Sequence, residues 1–244
     1  SNDSTQLTAN SSTGFTLGSD DSDQVNHSGS TAIAWSWKGN GAGSANTDGA
    51  INSTVSANTT SGFSIVSYTG TLSGNGNTTV GHGLGAVPKM IITKSKSNAE
   101  NWGVYHKDLT ANHILQLNTT SAQINTTSEG TVTAPTSSVF TVNYRGEYGN
   151  SGQNYIAYCF AEKKGFSKFG SYTGNGNADG PFIYTGFKPA YVLTKRADTA
   201  ESWVIQDNKQ SPSNPTHDFL LADSTGVPTA GGTPIDLLSN GFKI

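Results

Sequence analysis

With 244 residues, of which 33% are hydrophobic and 13% charged, 29 glycines and a formal net charge of −3, the chain is polar without being charged. Ordinary disorder pairs low hydrophobicity with high net charge, so this balance excludes it; a near-neutral chain with no Lys/Arg cluster beyond Lys163-Lys164 also leaves no footprint for nucleic acid or an anionic membrane. A single cysteine, Cys159, excludes an internal disulfide framework and a thiolate metal cluster, and no apolar run approaches the roughly 20 residues of a membrane-spanning helix.

In chain order, residues 1–12 are rich in Ser, Thr and Asn and read as a linker or the end of a preceding loop. Phe15-Thr16-Leu17 reads as a short strand. Asp20-Asp21-Ser22-Asp23 is the densest acidic cluster, but a calcium site needs about six to eight oxygens from a shaped loop, so it reads as a solvated turn. Ala32–Trp37 alternates as a strand, Lys38–Ser44 follows as a Gly-rich connector, and Ala45–Ser61, with sparse Ile51 and Val55, reads as a junction.

A complete unit is then expected from Ser61 to Lys164. Phe63, Ile65 and Val66 open it, Val80–Gly85 makes a Gly-rich bend, and Pro88 stands at the start of Met90-Ile91-Ile92-Thr93, where a missing donor is tolerated. Asn98–Asn101 turns into Trp102–Tyr105, and further strands follow at Ile114–Leu117, Val139–Val142 and Tyr155–Phe160. No stretch of ten or more residues has a helical period, so little or no helix is expected.

The unit has a copy. Gly62-Phe63-Ser64-Ile65-Val66-Ser67-Tyr68-Thr69-Gly70 returns as Gly165-Phe166-Ser167-Lys168-Phe169-Gly170-Ser171-Tyr172-Thr173-Gly174. Pro88 answers to Pro189 and Trp102 to Trp203, both at an offset of 101 residues; Ile114–Leu117 matches Phe219–Ala222, and Val139–Val142 matches Gly241–Ile244. Phe15–Leu17 and Ala32–Trp37 in turn resemble the end of a unit, Val139–Val142 and Tyr155–Phe160. The expected organisation is residues 1–60 as the final strands of a preceding or complementing repeat plus junction, 61–164 as a first β-sandwich repeat, and 165–244 as a second lacking its last strand. The fold class is all-β: tandem β-sandwich, jelly-roll or lectin-like, repeats of about a hundred residues. With Met90 as its only methionine, the sequence reads as a processed form or a fragment.

No catalytic residue is assigned. The histidines His27, His82, His106, His113 and His217 are expected in turns and strand ends, no G-x-S-x-G elbow occurs, and acids such as Asp198, Glu201 and Asp207 are scattered over loops rather than paired across a cleft. Cys159 reads as a small buried residue without an activating partner. Asn175-Gly176-Asn177-Ala178-Asp179-Gly180 has the oxygen spacing of a calcium loop start, but Gly186 stands where a bidentate Glu is needed and the first copy has Asn75-Gly76-Asn77 without a carboxylate, so a hairpin turn is expected and no metal is assigned. His82 reads as a turn residue. Trp102, Trp203, Trp35 and Trp37 read as core, Trp37 as the most exposed, with a sugar-stacking platform as the alternative. The sequons at Asn58, Asn118 and Asn125 read as polar turn composition.

Taken together, Val80-Gly81-His82-Gly83-Leu84-Gly85-Ala86-Val87-Pro88-Lys89-Met90-Ile91-Ile92, Tyr155–Glu162 and Leu238–Lys243 resemble the repeated β domains of tail-fibre and virion appendage proteins of marine tailed bacteriophages, including cyanophage-type podoviruses. The resemblance covers nearly the whole chain and implies a non-enzymatic virion-surface protein without cofactor, a homo-oligomer whose partners are other copies, other virion proteins and host surface glycans. A glycan-binding lectin-like module is the first alternative. The second is a bacterial surface or filament subunit in which Phe15–Trp37 completes the 165–244 unit of a neighbouring copy by strand addition.

Overall fold

The computed structural model describes residues 6–11, 13–19, 25–226 and 229–244. It is all-β, with 18 strands in antiparallel sheets and no helix among the described residues. The chain divides into two compact units, Ser1–Trp37 and Lys38–Ile244.

The first unit holds a hairpin of β1 (Leu7–Asn10) and β2 (Phe15–Leu17), with Asn10 opposite Phe15 and Ser11 N donating to Gly14 O at 2.8 Å across the turn. β2 falls where expected; β1 lies within the stretch read as a linker. Ala32–Trp37, expected as a strand, forms none. Alternation alone does not make a strand, because its main-chain groups need a ladder partner.

In the second unit, β3 (Ser44–Asn46), β4 (Ser53–Asn58), β5 (Phe63–Thr69), β7 (Pro88–Ser95), β8 (Gly103–His106), β9 (His113–Gln116), β10 (Ile124–Asn125) and β12 (Asn154–Ala161) form one sheet in the order β10-β9-β8-β7-β12-β5-β4-β3. A separate pair, β6 (Asn77–Gly81) and β11 (Val139–Asn143), completes the set of strands from this half. The stretch read as a junction thus supplies β3 and β4. Their Ser/Thr/Asn composition hid them, yet Ser53 and Val55 are buried on one face of β4 while Thr54 is exposed, and Ile51 bridges to Val80.

A third set of strands follows: β13 (Phe182–Tyr184), β14 (Tyr191–Lys195), β15 (Trp203–Asp207), β16 (Thr216–Leu221), β17 (Thr229–Leu238) and β18 (Gly241–Lys243), ordered β13-β18-β17-β16-β15-β14. Ile91 pairs with Tyr105 and Val192 with Gln206; Ile92 pairs with Val104 and Leu193 with Ile205. The β7–β8 and β14–β15 ladders therefore share one register at the 101-residue offset. Phe140 opposite Val80 is likewise matched by Phe242 opposite Ile183. The halves part company at the copy of β5: residues 166–174 form no strand, and Phe166, whose counterpart Phe63 is 5% exposed, is 64% exposed.

Period-2 alternation lets β7 serve two cores. Ile91 joins Val66, Tyr68, Val80, Phe140, Val142, Tyr155 and Cys159 in the larger one, which β6 and β11 help to close. Met90 and Val104, with Ile92 and Phe160, face Trp203 and Leu193 in a second, so the sheet containing β14 and β15 packs against the other side of β7 and β8. Val192, Ile235, Leu237 and Phe242 form a third.

Candidate functional site

A polar basin lies where three connections meet: Glu100 and Asn101 between β7 and β8, Glu129 after β10, and Tyr144–Glu147 with Asn150 between β11 and β12. With Gln116 at the end of β9, these residues line a cavity of about 390 Å³. The 144–150 segment is a tight turn, with Tyr148 N and Gly149 N both donating to Arg145 O, at 3.0 and 3.2 Å. Gly103 makes room for the buried Tyr148 ring, which a Cβ there would meet, whereas a Cβ at Gly146 would meet only the carboxylate end of the half-buried Glu100 side chain.

Arg145 organises the basin. Its Nη1 donates to Glu129 Oε1 at 3.1 Å and its Nε to Glu147 Oε2 at 3.3 Å, while Gln116 Nε2 donates to Glu147 Oε1 at 2.7 Å. Burial opposes the guanidinium charge, but the hydrogen bond and charge of Glu147, and then Glu129, outweigh it and hold the Arg145 pKa above its ordinary value. Burial, followed by the Glu147 charge, drives the Tyr148 hydroxyl well up, so it stays protonated. Two carboxylates thus share one guanidinium, and the Gln116 amide supplies a further donor to the more deeply buried Glu147. Around this cluster the half-buried Glu100, Asn101 and Tyr144 present a carboxylate, an amide and a phenol at the basin wall. Asn118 Nδ2 donates to Asn101 Oδ1 at 2.9 Å and Asn118 Oδ1 accepts from Trp102 N, which orients both amides.

The network continues into the second half. Trp203 Nε1 donates to Gln116 O at 2.9 Å, Glu201 N to Thr120 O at 2.8 Å, and Gln123 N to Ala197 O at 2.9 Å. Sequence reasoning missed Gln116, Glu129, Arg145 and Glu147; the signal for the last two was the charged triplet Arg145-Gly146-Glu147 in a chain so poor in charge.

The residues singled out from sequence do not converge on one place. Cys159 is fully buried in β12, where burial pushes its thiol up to about 12. The Asp20-Asp21-Ser22-Asp23 cluster lies outside the described residues. His82 follows β6, outside any strand, and is fully buried: its Nδ1 accepts from Leu84 N and its Nε2 faces Thr136 O, both at 3.2 Å, which assigns the proton to Nε2. His106 ends β8, His113 begins β9, His217 lies in β16, and His27 is exposed. Asp198 pairs with Arg196 at 2.8 Å, Glu201 is exposed, and Asp207 is buried with its Oδ1 accepting from Lys209 N and Gln210 N at 2.8 Å each. In the 175–180 turn Asn175 Oδ1 accepts from Asn177 N, and Gly176 takes a φ of 71°. Trp203 is buried, Trp102 and Trp35 are half-buried, and Trp37 is 47% exposed. Asn58 and Asn118 use their side chains to bind neighbouring main chain, while Asn125 is exposed.

These features define an all-β protein of antiparallel sheets with a polar, arginine-centred basin formed by its loops. The chain belongs to the family described as Domain of unknown function (DUF7483), whose family model matches residues 1–244. No curated protein and no solved structure matches it.

Proposed function

We propose that this chain is a non-enzymatic structural protein of a bacteriophage virion, a tail fibre, appendage or capsid-surface decoration on the outside of the particle, built of tandem β-sandwich repeats and serving host attachment. The observation that carries the reading is the duplicated ladder, β7–β8 and β14–β15 in one register 101 residues apart, on a sequence that resembles phage appendage repeats. Main-chain hydrogen bonding and face-to-face packing carry such an object without disulfide or cofactor. The test is proteomics of density-purified particles with immunogold labelling. Peptides of this chain in the particle band, with gold on the particle exterior, are expected; a chain found only in the host-cell fraction overturns the reading.

A second reading, a glycan-binding module, is favoured by the basin. Its Glu100, Asn101 and Tyr144 offer acceptors, a donor and an aromatic ring, the groups that sugar hydroxyls and ring faces require. A glycan array of the intact chain tests it: binding reduced at least tenfold by E100Q and N101A supports the basin, and equal binding by these variants removes it.

A further inference from the structure

β14 is the edge strand of its sheet, whereas its counterpart β7 is flanked by β12. On that flank Ile91 faces Cys159, Ile92 faces Tyr158, Thr93 faces Ala157 and Lys94 faces Ile156. Because β7–β8 and β14–β15 share one register, the main chain of β14 presents its outer edge as β7 presents its own to β12.

The sequence carries one further segment of β12 type. Ala32-Ile33-Ala34-Trp35-Ser36-Trp37 repeats the order of Tyr155-Ile156-Ala157-Tyr158-Cys159-Phe160: Ile on Ile, Ala on Ala, aromatic on aromatic twice, and small Ser36 on Cys159. In β12, Ala157 and Cys159 are fully buried; in Ala32–Trp37, which forms no strand, Ile33, Ala34 and Ser36 are exposed. The residues just after this segment are tied to β4: Asn40 N donates to Ser56 Oγ, Ser56 Oγ to Gly41 O, and Asn58 Nδ2 to Lys38 O. β4 stands three strands from β7 in the order β7-β12-β5-β4, and β14 belongs to the sheet packed against the opposite face of β7 and β8. Among the described residues of one chain β14 has β15 as its ladder neighbour, which leaves its outer edge to a strand from a second copy.

We infer that Ala32–Trp37 of one copy adds as an antiparallel strand to β14 of a second copy, in the position that β12 holds beside β7. The transferred register places Ala34 opposite Thr194, Trp35 opposite Leu193, Ile33 opposite Lys195 and Ser36 opposite Val192. The contact is heterologous, head to tail, and repeats along a line of copies or closes into a ring. The added strand also gives residues 166–173, the copy of β5, the neighbour that β5 has in β12, which accounts for Phe166 and Tyr172 being exposed at 64% and 44% in the single chain. The inference rests on strand registers and not on a virion role, so either reading can fail alone.

The experiment mixes full-length A34C with full-length T194C under mild oxidation; the native Cys159 is buried and stays silent. A covalent dimer is expected, with at least tenfold less from A34C with L193C, whose thiol points to the other face of β14. In parallel, A34W is compared with the parent by sedimentation velocity and thermal melting. Ala34 is exposed in the single chain, so the melting temperature should not move, while self-association weakens at least tenfold because the equivalent Ala157 site has no room. A chain that stays monomeric at all concentrations overturns the inference, as does equal crosslinking at 193 and 194. A dilution-independent crosslink within the A34C/T194C double variant assigns the strand to its own chain and also overturns it.

Discussion

Tyr172 stands edge-on to Phe242 at 6.5 Å and 84°, and Tyr68 stands edge-on to Phe140 at 6.1 Å and 74°. The same aromatic contact thus occurs in both halves, although Tyr68 lies in β5 and Tyr172 in no strand. The surroundings differ. Tyr68 is 4% exposed, stacks on Tyr155 at 5.3 Å and donates its hydroxyl to Tyr148 O at 2.6 Å, whereas Tyr172 is 44% exposed. Y68A is therefore expected to destabilise the protein by about 3–5 kcal/mol and Y172A by about 1 kcal/mol, read from urea unfolding of each variant. Equal losses would mean that the two contacts are equally embedded.

Arg145 holds a buried carboxylate in place. Glu147 is 4% exposed, and its charge is compensated by Arg145 and by the Gln116 amide. R145A leaves that charge buried with only a neutral donor and should cost about 3–5 kcal/mol. E129A removes a partner that is more open to water and should cost about 1 kcal/mol or less. Chemical denaturation of the two variants gives the ordering, and a loss in E129A as large as in R145A would refute the assignment of Glu147 as the critical partner.

β7, β8, β9, β11 and β12 were legible because Val, Ile, Leu and aromatic residues alternate there, and the β14 and β15 strands followed from the offset copy. β4 was not, because a half-buried strand can bury Ser53 beside Val55 and still look like a polar junction. Residues 166–174 misled in the opposite direction. They keep the composition of β5, but a ladder needs a neighbour, and local sequence does not carry the neighbour with it. The basin was illegible because Gln116 ends a strand while Glu129 and Arg145-Gly146-Glu147 lie on two separate connections, and only the fold brings them together.

Trp203 ties the second half to the first by both packing and a polar contact. It is 4% exposed, packs with Met90, Val104 and Leu115, and its Nε1 donates to Gln116 O. W203F keeps most of the packing, loses the donor and should cost about 1–3 kcal/mol, while W203A should cost about 3–5 kcal/mol. The unfolding free energies of the pair separate the two contributions. A W203F loss as large as that of W203A would place the whole effect in the hydrogen bond.

His82 gives the fold a pH dependence whose sign is fixed by its surroundings. Burial first of all lowers its pKa, against the opposing effects of the Thr136 carbonyl and the Asp48 charge, because the neutral ring with its proton on Nε2 is the form that fits. The unfolded chain takes up the proton near pH 6.5, above the folded value, so in that interval the unfolded state binds more protons and stability falls as pH falls. Its contribution is fully present above about pH 6.5 and is lost as pH drops through the folded value. His106, whose pKa is also lowered chiefly by burial, acts in the same direction, so the His82 share is read by difference. The unfolding free energy of the parent minus that of H82Q, whose side chain can still donate and accept but does not titrate there, should shrink as pH is lowered from 8 toward 5. Parallel curves for the two proteins would show that His82 does not supply the dependence.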